Sequence, residues 1–221
     1  MAYECDAELR ALEVRVGANT QHLPIFVRMM DKDSHWGYNK GLKSLIPHAL
    51  TFSVIGYPFI LPDMIGGNAY PQNSYPPKEL FIRWMQANTF LPSIQFSITP
   101  WQYDNEVIQI CRKMTKLHED YADTFVSLAK ECAETGAPII RPLWWVAPED
   151  PEALQIDSEF LVGNDLLVAP VLEEGDTSRS VYLPDGRWQD YNRGLTIDGR
   201  TWVKDYPAAL DILPYFTRIA E

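Results

Sequence analysis

The period of the apolar pattern changes once along the chain, near Gly136, and that change limits the fold more than any other feature. Before it, short apolar runs alternate with longer stretches at helical spacing. Ala11–Gly17, Ile25–Asp31, Tyr57–Pro62 and Pro92–Ile98 read as strands, and Tyr38–Ile55, Lys78–Phe90 and Asp104–Thr135 as helices. Ile25, Phe26, Val27, Met29 and Met30 make the second strand apolar on both faces, as in a strand buried within a parallel sheet. Pro47 predicts a kink or break in the first helix. In the third, Val107, Cys111, Met114, Leu117, Tyr121, Phe125, Leu128 and Cys132 recur at steps of three and four and form one stripe. Asp104 is its expected N-cap, Gly136 its C′ residue, and Pro138 prevents continuation.

After Gly136 the strands are short and turn signals separate them. Ile139–Val146, Phe160–Leu161, Leu166–Val171, Val181–Leu183, Thr201–Val203 and Ile212–Phe216 are expected strands of an antiparallel module. The fold class expected is α/β: the C-terminal part of a (β/α)8 TIM barrel over residues 1–136, then an antiparallel β-sandwich over 137–221. A whole barrel takes about 250 residues. The residues before Gly136 therefore form part of a barrel, or a different fold.

Composition excludes several classes. With 46% hydrophobic residues the chain can bury a core. A formal net charge of -11 argues against a nucleic-acid surface, which needs clustered Lys and Arg, and against an anionic membrane. Leu45–Leu61 is too short and too interrupted by Pro47, Gly56 and Pro58 to span a bilayer, so any signal or membrane anchor is expected before Met1. Cys5, Cys111 and Cys132 lack metal-ligand spacing, and Cys111 and Cys132 share one expected helix. His22, His35, His48 and His118 are scattered, so no metal site is expected.

Two aspartates follow apolar strands. Asp31 opens Asp31-Lys32-Asp33-Ser34-His35-Trp36, and Asp63 is followed by Gly66-Gly67. Barrel active sites lie at strand C-terminal ends, where desolvation can keep a carboxyl protonated as a donor. Glycines there allow close approach to a ligand. Each motif alone reads more readily as a turn, a capped and solvated one at Asp31 and a plain glycine turn after Asp63, but two such strand-end aspartates in consecutive units are less easily dismissed. Arg15, after another apolar run, suits a carboxylate or a sugar hydroxyl, or is a surface charge. Trp84, Trp101, Trp144 and Trp145 are candidate stacking platforms, although Trp144 and Trp145 read better as core.

Taken in order, these motifs resemble glycoside hydrolase family 31 over nearly the whole chain. In that family an acid/base Asp precedes a Trp by five residues, which selects Asp31, before Trp36, over Asp33. The resemblance continues through Gly56-Tyr57-Pro58-Phe59, Asp63-Met64-Ile65-Gly66-Gly67, Arg83-Trp84, Phe90-Leu91-Pro92, Arg141-Pro142, Asp157-Ser158-Glu159-Phe160 and Leu166-Leu167-Val168-Ala169-Pro170. It implies retaining hydrolysis of an α-linked glycoside, with Asp31 as acid/base and Arg15, Asp63, Trp36 and Ser97 on the sugar. It implies a carbohydrate substrate, no cofactor and no metal, and leaves room for a homodimer. Asp33-Ser34-His35-Trp36-Gly37-Tyr38 and Arg141-Pro142-Leu143-Trp144-Trp145 are similar to an α-galactosidase-like subgroup. That subgroup implies an N-terminal membrane helix and a catalytic part in the lumen of the secretory pathway.

Gln95 and Ser97 stand where the family's α-glucosidases carry Arg and His, which puts an ordinary α-glucosidase specificity in doubt; the resemblance to the α-galactosidase-like subgroup is what implies α-galactosides. The family's Trp-x-Asp nucleophile motif does not occur, and Asp6 lacks its context. The nucleophile is expected upstream of Met1, and these 221 residues alone are expected to be inactive. An ordinary α-glucosidase and a non-catalytic carbohydrate-binding or interaction protein are the competing readings.

Overall fold

Three short parallel strands organise the first part of the chain: β1 (Glu13–Val14), β2 (Phe26–Arg28) and β3 (Ile60–Leu61), with β2 between the other two. The computed structural model describes residues 12–15, 17–69 and 75–219, so Cys5, Asp6 and the start of the expected first strand lie outside the described residues. In β2 the apolar run serves its two faces unequally. Ile25, Val27 and Met29 are buried, whereas Phe26 and Arg28 are half-buried and Met30 is 66% exposed. One face of the sheet is covered and the other opens progressively toward the strand's C-terminal end.

The first helix begins later than expected. A 3-10 turn at Leu42–Ser44 leads into α1 (Leu45–Val54). Pro47 sits in the first turn of α1, where its N–H would have no partner within the helix, and so causes no kink. Helix α2 (Lys78–Asn88) is buried from Leu80 to its end on every side. Pro92–Ile98 is not a strand. It runs irregularly beside the end of β3, with Ser93 donating to Ile60 O at 3.2 Å and Ile65 N to Gln95 O at 2.9 Å.

The long amphipathic helix is two helices, α3 (Asn105–Asp120) and α4 (Ala122–Thr135), broken at Tyr121. The apolar stripe stays in phase across the break, so the sequence pattern does not reveal it. The Tyr121 ring meets Phe90 edge-on at 5.1 Å. Asp104 caps α3, accepting from Val107 N at 3.1 Å, and Gly136 ends α4 at φ 78. Cys111 and Cys132 thus lie on different helices, both as free thiols.

Beyond Gly136, β4 (Ile140–Arg141), β5 (Phe160–Val162), β6 (Leu166–Val168), β7 (Ser178–Leu183), β8 (Arg187–Asp190), β9 (Thr196–Asp198), β10 (Thr201–Pro207) and β11 (Tyr215–Ile219) form two antiparallel sheets. One has six strands in the order β4-β5-β6-β11-β8-β9, and the other pairs β7 with β10. Pro142 cuts the expected Ile139–Val146 strand to two residues, and a 3-10 turn follows.

The six-stranded sheet is buried on both faces near its middle. Phe160, Val162, Leu166, Val168 and Tyr215 join the core formed with α1, α2 and α3. Leu161, Leu167 and Phe216 alternate with them and face a second core with Val181, Leu183, Trp188 and Tyr206, between the sheets.

Candidate active site

Arg15, Asp31 and Asp63 all issue from the C-terminal ends of the three adjacent parallel strands. Arg15 directly follows β1, Asp31 lies just past β2, and Asp63 just past β3. Arg15 Nη2 donates to Asp31 Oδ1 at 2.6 Å. Both side chains reach solvent, at 56% and 42% exposure. Within these residues the Asp31 carboxyl is held by an arginine at an edge that reaches solvent.

Asp63 is placed oppositely. It is fully buried, and its backbone adopts φ 74, a left-handed conformation that Asp and Asn tolerate better than most residues. Its Oδ1 accepts from Arg28 Nη2 at 2.5 Å and Nε at 3.2 Å, and its Oδ2 from the Lys32 backbone N–H at 2.7 Å. The hydrogen bond to Asp63 raises the Arg28 guanidinium above its ordinary value. Arg28 Nη1 stands 3.8 Å from Glu13 Oε1.

Lys32 turns inward immediately after Asp31. Its side chain is fully buried, and Nζ meets His48 Nδ1 on α1 in a short hydrogen bond. Burial pulls the ammonium down to about 8, partly offset by the Asp63 charge. His48 is lowered too, by burial and then by Lys32, so a neutral imidazole accepting from the ammonium fits the pair.

Gly67, at φ 73, lets the Asp63 loop close on the Asp31 loop. A Cβ there would stand 2.9 to 3.0 Å from the Asp33 carbonyl group and Lys32 O. Asn68 N donates to Lys32 O at 2.7 Å, and Asp33 forms an isolated bridge with Asn68. The glycine thus serves backbone against backbone, not backbone against ligand. Trp36 packs against the first core, with its Nε1 buried and unpartnered among the described residues. Ser97 is exposed, while Gln95 keeps a buried Oε1 without a partner among the described residues. Trp84 is fully buried, Trp101 is 72% exposed, and Trp145, expected in the core, is 38% exposed.

The loop that carries Asp31 is tied to the sandwich. Tyr38 Oη donates to Asp157 Oδ2 at 3.0 Å, and Lys43 pairs with Glu173. Deeper in, the buried Arg83 on α2 donates to Asp176 O and Ala208 O, both at 2.8 Å, and Gln86 donates to Leu210 O at 2.9 Å. The Asp157-to-Phe160 motif is explained by these contacts and by the buried pair of Glu159 with Arg179 at 2.9 Å. Burial pushes the Glu159 carboxyl up to about 7 in spite of Arg179. Among the described residues no group of three or more His, Cys, Asp or Glu is placed to hold a metal ion, and no helix is long and apolar enough to cross a membrane.

Acidic and basic groups gathered at the C-terminal ends of parallel strands, beside an antiparallel sandwich, are placed where TIM-barrel enzymes carry their active sites. The TIM-barrel domain of glycosyl hydrolases family 31 matches residues 19–128, and the C-terminal domain of the same family matches 136–219. The chain belongs to glycosyl hydrolase family 31. It is 51% identical to the myogenesis-regulating glycosidase of Mus musculus and 40% identical to the SITS-binding protein of Tetronarce californica, over 93% of this chain and 30% of each relative. Alpha-glucosidase 2 of Bacillus thermoamyloliquefaciens is 31% identical over 85% of this chain and 24% of its own. The cycloalternan-degrading enzyme of Trueperella pyogenes, solved in complex with a covalent intermediate, superposes with a TM-score of 0.89 at 25% identity, over 99% of this chain and 31% of that one. The chain thus spans about 30% of the length of the first of these curated relatives.

The sequence singles out Arg15, Asp31 and Asp63, and the structure sets them at adjacent strand ends; the sequence does not single out Arg28, Lys32 and His48, which the structure places beside them. A charged residue ending an otherwise apolar strand, as Arg28 does, was the available signal.

Proposed function

We propose that these residues form the acid/base part of a retaining α-glycosidase that prefers α-galactosides. The observation that carries this reading is the Arg15–Asp31 pair, solvent-open at the ends of adjacent parallel strands. Asp31 protonates the leaving oxygen. As a carboxylate it then activates water against the glycosyl-enzyme, the state that the Arg15 pair suits. A second carboxylate, supplied by residues outside these 221, attacks the anomeric carbon. A double displacement is supported by the covalent intermediate of the cycloalternan-degrading enzyme. The galactoside preference rests on the motif resemblance to the α-galactosidase-like subgroup, with Gln95 and Ser97 marking a departure from the α-glucosidase pattern. The same likeness is the ground for a site of action in the lumen of the secretory pathway.

Two other readings keep a specific support. The likeness to Alpha-glucosidase 2 favours α-glucosides, and the likeness to the SITS-binding protein favours a binding role. Measuring kcat/KM of the full-length protein on paired nitrophenyl α-galactosides and α-glucosides separates them. A preference for the galactoside is expected, equal values or a glucoside preference select the second reading, and no turnover on either selects the third.

A further inference from the structure

Arg28 and Asp63 divide the work at the ends of β2 and β3 in a way that the sequence hides. Asp63 has no exposed surface, and both its oxygens are taken, Oδ1 by two nitrogens of Arg28 and Oδ2 by the Lys32 N–H. No hydroxyl can reach it without breaking that set. Arg28 keeps 18% of its side chain exposed. It lies on the face of β2 that opens from half-buried Phe26 to Met30 at 66% exposure. Only Nε and Nη2 are spent on Asp63. Among the described residues Nη1 makes no hydrogen bond, Glu13 standing 3.8 Å away. A guanidinium fixed at one edge and open at the other is a preorganised donor for the oxygen of a sugar hydroxyl.

We propose that Arg28, and not Asp63, is the side chain that these strand ends present to the sugar, with Asp63 a positioning residue that acts through Arg28. This rests on the glycosidase reading above. Asp63 holds Arg28 in one rotamer from its strained, buried backbone position, and Arg28 Nη1 donates to one hydroxyl of the terminal sugar.

A double-mutant cycle in the full-length protein tests it. Arg28→Gln is expected to lower kcat/KM about 10- to 100-fold, as for loss of a charged hydrogen bond. Asp63→Asn, which tolerates the backbone conformation, is expected to do the same. The double variant is expected to be no worse than Arg28→Gln within about twofold, because Asp63 acts only through Arg28. If the losses multiply instead, Asp63 contacts the sugar on its own account and the proposal is overturned. Kinetics on the 2-, 3-, 4- and 6-deoxy α-galactosides supply the readout that a structural role would not move. The Arg28→Gln penalty is expected to vanish for one of them. A penalty equal across all four overturns the proposal. Arg28→Lys keeps the charge on Asp63 and guards against misfolding, with partial recovery expected.

If the wild type cleaves only α-glucosides, the specificity reading fails and the cycle is run on the glucoside series. If it cleaves neither, the glycosidase reading fails and the cycle is read on the Kd of free galactose and glucose. Absence of binding to both then overturns this proposal as well.

Discussion

The hydroxyl of Tyr38 donates to the carboxylate of Asp157 at 3.0 Å, joining the loop that carries Asp31 to a segment of the sandwich 119 residues later. The Asp31 loop is therefore fixed from two sides, by Lys32 in the core and by Tyr38 at the sandwich. Removing one neutral-to-charged hydrogen bond of this kind costs roughly 1.5 to 3 kcal/mol when buried, and less at an exposed contact. Tyr38→Phe in the full-length protein is expected to lower kcat severalfold with KM nearly unchanged. An unchanged kcat would mean that Asp31 holds its place without the sandwich.

Asp31→Asn is expected to lower kcat by about 10² to 10⁴ with the fold intact, since the amide is nearly isosteric but cannot carry the proton. Asp33→Asn is expected to be mild, because the Asp33 backbone is what engages its surroundings, donating to Lys40 O at 2.9 Å. Substrates with good leaving groups should be spared in the first step. A crippling Asp33→Asn beside a mild Asp31→Asn would reverse the assignment.

Lys32 gives a pH dependence of definite sign. Its folded value, about 8, lies below the ordinary 10.5 because of burial. Between those values the unfolded chain binds more protons than the folded one, so this group makes stability rise with pH across that window, by up to about 3 kcal/mol. Below pH 8 the buried charge is a standing cost. Lys32→Met removes it, leaving His48 Nδ1 unpaired as a pH-independent offset. The stability of the variant relative to wild type should thus be greatest near pH 7 and decline toward pH 10. Denaturant melts at pH 7, 9 and 10 check this, and a constant difference would show that Lys32 titrates normally.

Arg83→Met is expected to cost about 1 to 3 kcal/mol, since it strips the donor from the buried carbonyl of Ala208, whereas Asp176, which is exposed, can turn its carbonyl to water. Burial lowers the Arg83 guanidinium, which tempers the loss by relieving a buried charge. Chemical denaturation measures it. A loss under about 1 kcal/mol would mean that water replaces the guanidinium.

Legibility in the sequence followed burial. Strand β2 could be read because Ile25, Val27 and Met29 form one buried row, and the end of α4 because Gly136 adopts the conformation only glycine takes freely. The break at Tyr121 leaves the stripe in phase and so leaves no trace in the pattern. Strands β8 and β9 were missed because Arg187-Trp188-Gln189-Asp190 and Thr196-Ile197-Asp198 each hold one apolar residue, too few to show a period of two. Asp63 was found from its place after a strand. Arg28 is marked locally only as a charge that closes an apolar strand, and nothing in the pattern announces its pair with Asp63, 35 residues away.

The six-stranded sheet with two covered faces bears on how such a protein can be recombined. Gly136 looks like the natural place to cut, but Phe160, Val162, Leu166, Val168 and Tyr215 are cut from the same cloth as α2 and α3. A sandwich borrowed from another member of the family would bring its own row of side chains to a helix surface shaped for these five. A working hybrid has to carry Arg83, Gln86 and their receiving loop with the sheet, so the smallest exchangeable block straddles the seam.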